Sequence, residues 1–212
     1  MPVVAPSAAT PRASRHTRTT RLVHAGLALA VVTQLLVSLV MEPAEDGHAG
    51  NLWYEIHEYG GLAAFALIVL FWIVLTARKR GTPGGLLFPW FSGPRRAALW
   101  SDIKHHAATL RQMRLPPHDD ASPLASAVHG LGILLISAMA ATGTVFYFFG
   151  GGDAHTGGLA GVILEIHKAL ANLAWAYLIG HAGLAVLQHI FTDFNLREMW
   201  SLHTATKKET SK

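Results

Sequence analysis

Four long apolar runs, at 22–40, 53–77, 124–149 and 159–191, are set between shorter polar connections. At 1.5 Å per residue each can cross a hydrocarbon core about 30 Å thick as one helix. The pattern predicts an all-α, integral membrane four-helix bundle with spans of about 21–41, 53–77, 124–149 and 159–191, within one domain over 21–199. Residues 1–20, rich in Pro, Ser, Thr and Arg, lack helical or strand periodicity and read as a disordered basic tail. Residues 200–212 form a polar, Lys-rich tail. A cleaved signal peptide is the alternative for the first run. That run is longer than a signal core of 7–15 residues, lacks a clear A-x-A site, and is followed by three further spans.

The connections differ in character. Residues 42–51 are acidic and short, and 150–158 is a Gly-rich turn. The 78–122 loop is the longest. It opens with turn chemistry (GTPGG, FPWFSGP) and closes with LPPHDDASP. Between them, Arg95 to Arg114 predicts an amphipathic basic helix with Leu99, Trp100, Ile103, Leu110 and Met113 as its apolar residues. It is expected either to lie on the inner membrane surface or to cap the bundle. Trp53 and Tyr54 read as interfacial aromatics.

Composition agrees with the membrane reading. The chain is 51% hydrophobic and only 14% charged, against about 25% charged in average soluble domains, and its mean hydropathy is +0.32. The absence of cysteine excludes disulfides, Fe–S ligation, thiolate haem ligands and covalent C-x-x-C-H haem attachment. A pI near 9.6 could suggest nucleic acid, but the basic residues lie between the apolar runs and form no single patch, so no nucleic-acid partner is expected. Of the 17 Lys and Arg, 16 fall in the N-terminal segment through Arg21, the 78–122 loop and the C-terminal segment from Arg197 on, and only Lys168 falls on the other side. The positive-inside rule then places both termini in the cytoplasm.

Ionisable side chains inside membrane spans are costly and mark function by default. The chain has 13 histidines, and His24, His57, His129, His167 and His181 fall within apolar runs. His167 and His181 are about 21 Å apart along one helix and within roughly 40° of one face. Measured from the outer ends of the spans, His57 matches His167 at a shallow depth, and His24 matches His181 near the inner half. Two bis-histidine haem sites at two depths account for this. Two neutral imidazoles leave iron low-spin and six-coordinate, which suits electron transfer. Gly26, Gly60, Gly61, Gly180 and Gly183 flank the candidate ligands and would admit a porphyrin. Lys168, the one outward cation, is a candidate contact for a haem propionate or an anion. Single membrane histidines often serve only as interhelical hydrogen-bond partners, and zinc or copper would want three or four ligands at one level. His129, near the inner pair, is a candidate for a second-shell or quinone-lining role and competes with His24 as a ligand. His189 is similarly ambiguous. His16, His105, His106, His118 and His203 are expected on the solvent side, with His48 and His155 solvated in the outer loops.

The spans with His24, His57, His167 and His181, and above all the stretch IHKALANLAWAYLIGHAGLAVLQHIFTDFNLREM, resemble the bacterial cytochrome b561 family in its four-helix di-haem branch, which includes superoxide oxidase-type members. The resemblance covers about 21–199. It implies ligation by His24 with His181 and by His57 with His167, a third-helix His129 not used as an iron ligand, and location in the bacterial inner membrane. The 78–122 loop is longer than expected for short members. Related cytochrome b subunits of hydrogenases and other periplasmic oxidoreductases share the haem arrangement. The expected function is therefore transmembrane electron transfer through two haem b groups between a periplasmic donor, superoxide among the candidates, and ubiquinone or menaquinone in the lipid bilayer. With superoxide the chain would be a superoxide:quinone oxidoreductase. The alternative is a membrane-anchor subunit wiring a separate periplasmic oxidoreductase or cytochrome to quinone. Metal-ion transport is a third, weaker reading.

Overall fold

The computed structural model describes residues 17–192 except 46, 79, 80, 115, 117, 118, 120, 152 and 154. Most of the N-terminal tail, the whole C-terminal tail, the polar exit of the last span, and His16, His118 and His203 lie outside the described residues. Four long helices dominate: α1 (Arg18–Val37), α2 (Leu52–Ala77), α5 (Pro123–Phe149) and α6 (Gly158–Phe191). The loop between α2 and α5 carries short α3 (Gly84–Leu87), a 3-10 turn at Pro89–Phe91, and α4 (Gly93–Arg111). Among the described residues the only β contacts are isolated bridges. The chain is an all-α membrane protein with four helices long and apolar enough to cross a bilayer.

Local chemistry sets the helix starts. Thr17, Asn51 and Ser122 each accept a hydrogen bond from the backbone N–H three residues on, which satisfies donors the first helical turn leaves open. Helix α1 therefore begins at Arg18, ahead of the expected 21. It gives way at Ser38 to two tighter turns, with Leu39 and Val40 donating to Leu36 and Val37. Helix α6 begins at Gly158, whose φ of +65° disfavours any side chain.

The helices pack as a row of neighbours, α1 on α2, α2 on α5 and α5 on α6. Val23 and Leu27 of α1 meet Ile68 and Phe71 of α2, with Ile133, Ile136 and Ala140 of α5 completing the core. This interior is small, because large apolar side chains such as Leu29, Ile73, Leu173 and Ile179 point outward. Water would penalise such a belt, whereas lipid accepts it. In lipid, helix association depends on close packing and interhelical hydrogen bonds, and Trp72 Nε1 donates to Ser137 Oγ at 2.9 Å between α2 and α5.

The two short connections share one end of the bundle, termed the outer end, where Ala44 bridges to Asp153. Trp53 is exposed there, but Tyr54 is buried against Gly50, so only Trp53 presents itself to the interface. At the opposite, inner end the long loop is tied down. The Leu87 backbone lies against Gly130, where a Cβ would collide. Phe88 stacks on Trp72 with ring centroids 5.6 Å apart. Asp102 of α4 accepts from the Ser122 hydroxyl (2.7 Å) and the Leu124 N–H (2.9 Å), which couples α4 to the first turn of α5. Helix α4 spans less than the expected Arg95–Arg114 segment at its C-terminal end, where Met113 takes a left-handed φ of 54°. It buries no residue completely: Leu99 and Ile103 are half-buried, while Trp100, Leu110 and Met113 are exposed.

Candidate functional site

Near the outer end, His57 in the second turn of α2 faces His167 in the third turn of α6. Their ring centroids are 6.2 Å apart with planes at 81°. With metal–imidazole bonds of about 2.0 Å and roughly 1.1 Å from nitrogen to ring centre, two imidazoles on opposite sides of one metal would hold their centroids about 6.2 Å apart. The pair thus has the separation that an iron between the rings requires.

Helix α5 holds the His167 ring. Its Nδ1 lies 3.0 Å from Thr142 Oγ1 and 3.1 Å from the Met139 carbonyl. A carbonyl can only accept, so Nδ1 carries the hydrogen. The Thr142 hydroxyl donates to the Ala138 carbonyl at 2.8 Å, which leaves its lone pair to accept from His167. Nε2 is then the unprotonated nitrogen, the form that ligates a metal. Gly143 makes room for the ring, since a Cβ there would stand 3.0 Å from His167 Cε1. Across the pair, His57 lies beside the Gln34 backbone of α1. Its Nδ1 is buried with no hydrogen-bond partner among the described groups, the condition metal coordination would relieve.

Toward the inner end, His24 of α1, His129 of α5 and His181 of α6 come to one level. His24 interacts electrostatically with both of the others and lies 6.5 Å from the Phe71 ring. His129 and His181 meet edge to face at 5.1 Å, with planes at 86°. That is a direct contact, closer than axial ligands across one iron. The His129 Nδ1 hydrogen is fixed on the Ala125 carbonyl. Tyr177 stacks on His181 at 5.4 Å and 7°, its hydroxyl end seated over Gly132, where a Cβ would clash. Among the described residues no group of three or more His, Asp or Glu side chains converges tightly enough to hold a metal ion.

The remaining candidates sit apart. Lys168 is exposed and pairs with Glu165 at 2.9 Å. His48, His155 and His189 are exposed. His106 bonds Asp102 beyond the inner end. Of the flanking glycines, Gly60 admits the Gln34 side chain, Gly26 makes only ordinary contact with Leu67, and Gly180 and Gly183 face open space. Thr142, Gly143, Tyr177 and Gly132 escaped the sequence reading. One signal was present: Gly132 and Gly143 fall on one face of α5, about 16.5 Å apart. His167 and Tyr177 on antiparallel α6 are about 15 Å apart.

A lipid-facing bundle whose helices bring imidazoles together in its interior is fitted to hold haem within a membrane. The family model of prokaryotic cytochrome b561 matches residues 15–202, and the chain belongs to that family. It is a multi-pass protein of the bacterial inner membrane and a b-type haem cytochrome that transfers electrons across the membrane. No curated protein and no solved structure matches the chain.

Proposed function

We propose that the chain holds two haem b groups, one between His57 and His167 and one between His24 and His181, and that electrons pass through them between a periplasmic donor and a membrane quinone. The observation that carries this reading is the 6.2 Å, near-perpendicular arrangement of His57 and His167. Haem iron, cycling between its ferric and ferrous states, supplies the one-electron chemistry. The chain's residues fix the ligands, and helix α6 is common to both sites. Both termini, with the 78–122 loop and the tails at 1–20 and 200–212, are assigned to the cytoplasm by the distribution of Lys and Arg. His129, against His181 and exposed on its other side, is assigned to the quinone edge of the inner site, where ubiquinone or menaquinone would be reduced.

One observation favours the anchor-subunit reading of the donor side. The outer end and its flanking turns carry seven carboxylates (Glu42, Glu45, Asp46, Glu55, Glu58, Asp153 and Glu165) against the single cation Lys168. Lys168 is already paired with Glu165. Such a field repels an anion such as superoxide and attracts a cationic protein surface. A basic periplasmic redox protein is therefore the better-matched donor. An unchanged outer potential in Lys168→Ala would also remove that residue from any propionate contact.

The test is a pyridine haemochrome count on purified protein with His→Ala changes at 24, 57, 129, 167 and 181. Two haems per chain are expected, with one lost from either member of each pair and both retained in His129→Ala. Retention of the inner haem in His24→Ala would transfer the ligand role to His129, and a reduced-minus-oxidised spectrum without a b-type α-band would refute the haem reading. Superoxide-dependent reduction at full rate would refute the cationic-donor reading.

A further inference from the structure

Helix α4 has two unlike sides. Leu99, Asp102, Ile103 and His106 are half-buried and hold one side against the start of α5. Asp102, the one carboxylate within 93–111, is engaged on that side by Ser122, the Leu124 N–H and His106. Roughly 110° around the helix, Arg96, Trp100, Lys104, Ala107 and Arg111 fall within about 80° of one another and run for about 22 Å. All five are exposed. Among the described residues none of Arg96, Lys104 and Arg111 pairs with a carboxylate. The remaining cation of the helix, Arg95, turns instead over Gly85, where a Cβ would collide with its guanidinium. Phe91 just before α4 and Met113 just after it are almost wholly exposed.

The bonds of Asp102 fix the middle of α4 at the level of the first turn of α5, where that span begins. The Leu87 backbone lies against Gly130, seven residues or about 10 Å into the same span. The loop therefore sits at the membrane edge. A helix is about 10–12 Å across and the headgroup layer about 5–8 Å thick on each side, so the flank at Arg96–Arg111 lies within reach of lipid headgroups. The inner leaflet is negatively charged. Three unpaired cations around an exposed Trp match it, since cations pair with phosphates and Trp settles at the headgroup level. The far flank, with Ala98 and His105, offers neither.

We propose that the Arg96–Trp100–Lys104–Arg111 flank of α4 docks on the inner leaflet and binds anionic phospholipid headgroups. This does not depend on which histidines ligate haem; it rests on the assignment of the 78–122 loop to the cytoplasm. The chain has no cysteine, so one introduced cysteine can carry a fluorophore at a single position. Ala107→Cys places it on the flank and Ala98→Cys about 180° away. Each labelled full-length protein is put in nanodiscs of phosphatidylcholine alone, or of equal parts phosphatidylcholine and phosphatidylglycerol, and quenched with neutral acrylamide. With phosphatidylglycerol, position 107 is expected to be shielded and position 98 open. Each cation near an anionic surface is worth about fivefold in binding, so the combined change Arg96→Gln, Lys104→Gln and Arg111→Gln should abolish the shielding. That variant should keep the b-type absorbance of the parent, and the lipid contrast stands without it if it does not fold. Equal quenching at both positions in both lipids would overturn the proposal. So would shielding of 107 that is independent of phosphatidylglycerol, which means cover by the bundle itself, or shielding in lipid-free detergent that grows with protein concentration, which means cover by a second copy. Reaction of the cysteine at 98 with a membrane-impermeant maleimide in intact spheroplasts, and not in inverted vesicles, would refute the cytoplasmic placement, a separate outcome from these.

Discussion

Removing the hydroxyl of Thr142 tests whether α5 tunes the outer site through His167. Thr142→Val keeps the shape and deletes one of the two acceptors that share the Nδ1 hydrogen, leaving the Met139 carbonyl at 3.1 Å. An acceptor on Nδ1–H makes the imidazole a stronger donor to iron and favours the ferric state, so its loss should raise the potential. A neutral hydrogen bond of this kind is worth about 0.5–1.5 kcal/mol net. If about half of that differs between the two oxidation states, the difference is roughly 0.25–0.75 kcal/mol. At about 1.4 kcal/mol and 59 mV per tenfold for one electron, the expected rise is about 10–30 mV. A potentiometric titration followed at the b-type α-band should resolve two components and show one of them rising. Two unmoved components, or a downward shift, would refute the assigned tautomer or the ligand role of His167.

Other consequences follow from the same contacts. Gly143→Ala would place a methyl 3.0 Å from His167 Cε1 and 3.4 Å from Nδ1; at an overpacking cost of about 1–2 kcal/mol, haem titration should show outer-site affinity falling about 5- to 30-fold with the inner site unaffected. Trp72→Phe forfeits the 2.9 Å bond to Ser137, worth about 1 kcal/mol, and should lower the midpoint of thermal unfolding in detergent by about 2–4 °C. For Asp102, burial disfavours the charge, but the Leu124 N–H, the Ser122 hydroxyl and His106 outweigh it and hold the carboxyl below its ordinary range. Its depressed folded-state pKa means the stabilisation is complete above about pH 4 and is lost as pH falls through the folded value. Differential scanning at stepped pH should show this acid-side loss in the parent chain and its absence in Asp102→Asn.

The number of spans, their approximate limits and the histidines inside them were legible from the chain alone, because a bilayer imposes length and polarity rules that act on each helix separately. Even the matching of His57 with His167 by depth follows from one-dimensional bookkeeping along the helices. Which side chain stands behind each histidine did not follow, because that depends on how neighbouring helices are rotated against one another. Thr142 and Gly143 fall in a span with no charge to mark them, and only the packing of α5 against α6 turns them toward His167. Tyr177 reads as an ordinary apolar-face aromatic until Gly132 on the facing helix gives its hydroxyl end a seat. Arg21 is counted by sequence with the basic tail, yet burial sets it apart from Arg18, which is exposed one turn earlier. Sequence determines what each helix can cross and carry, while the contacts between helices decide what each carried group touches.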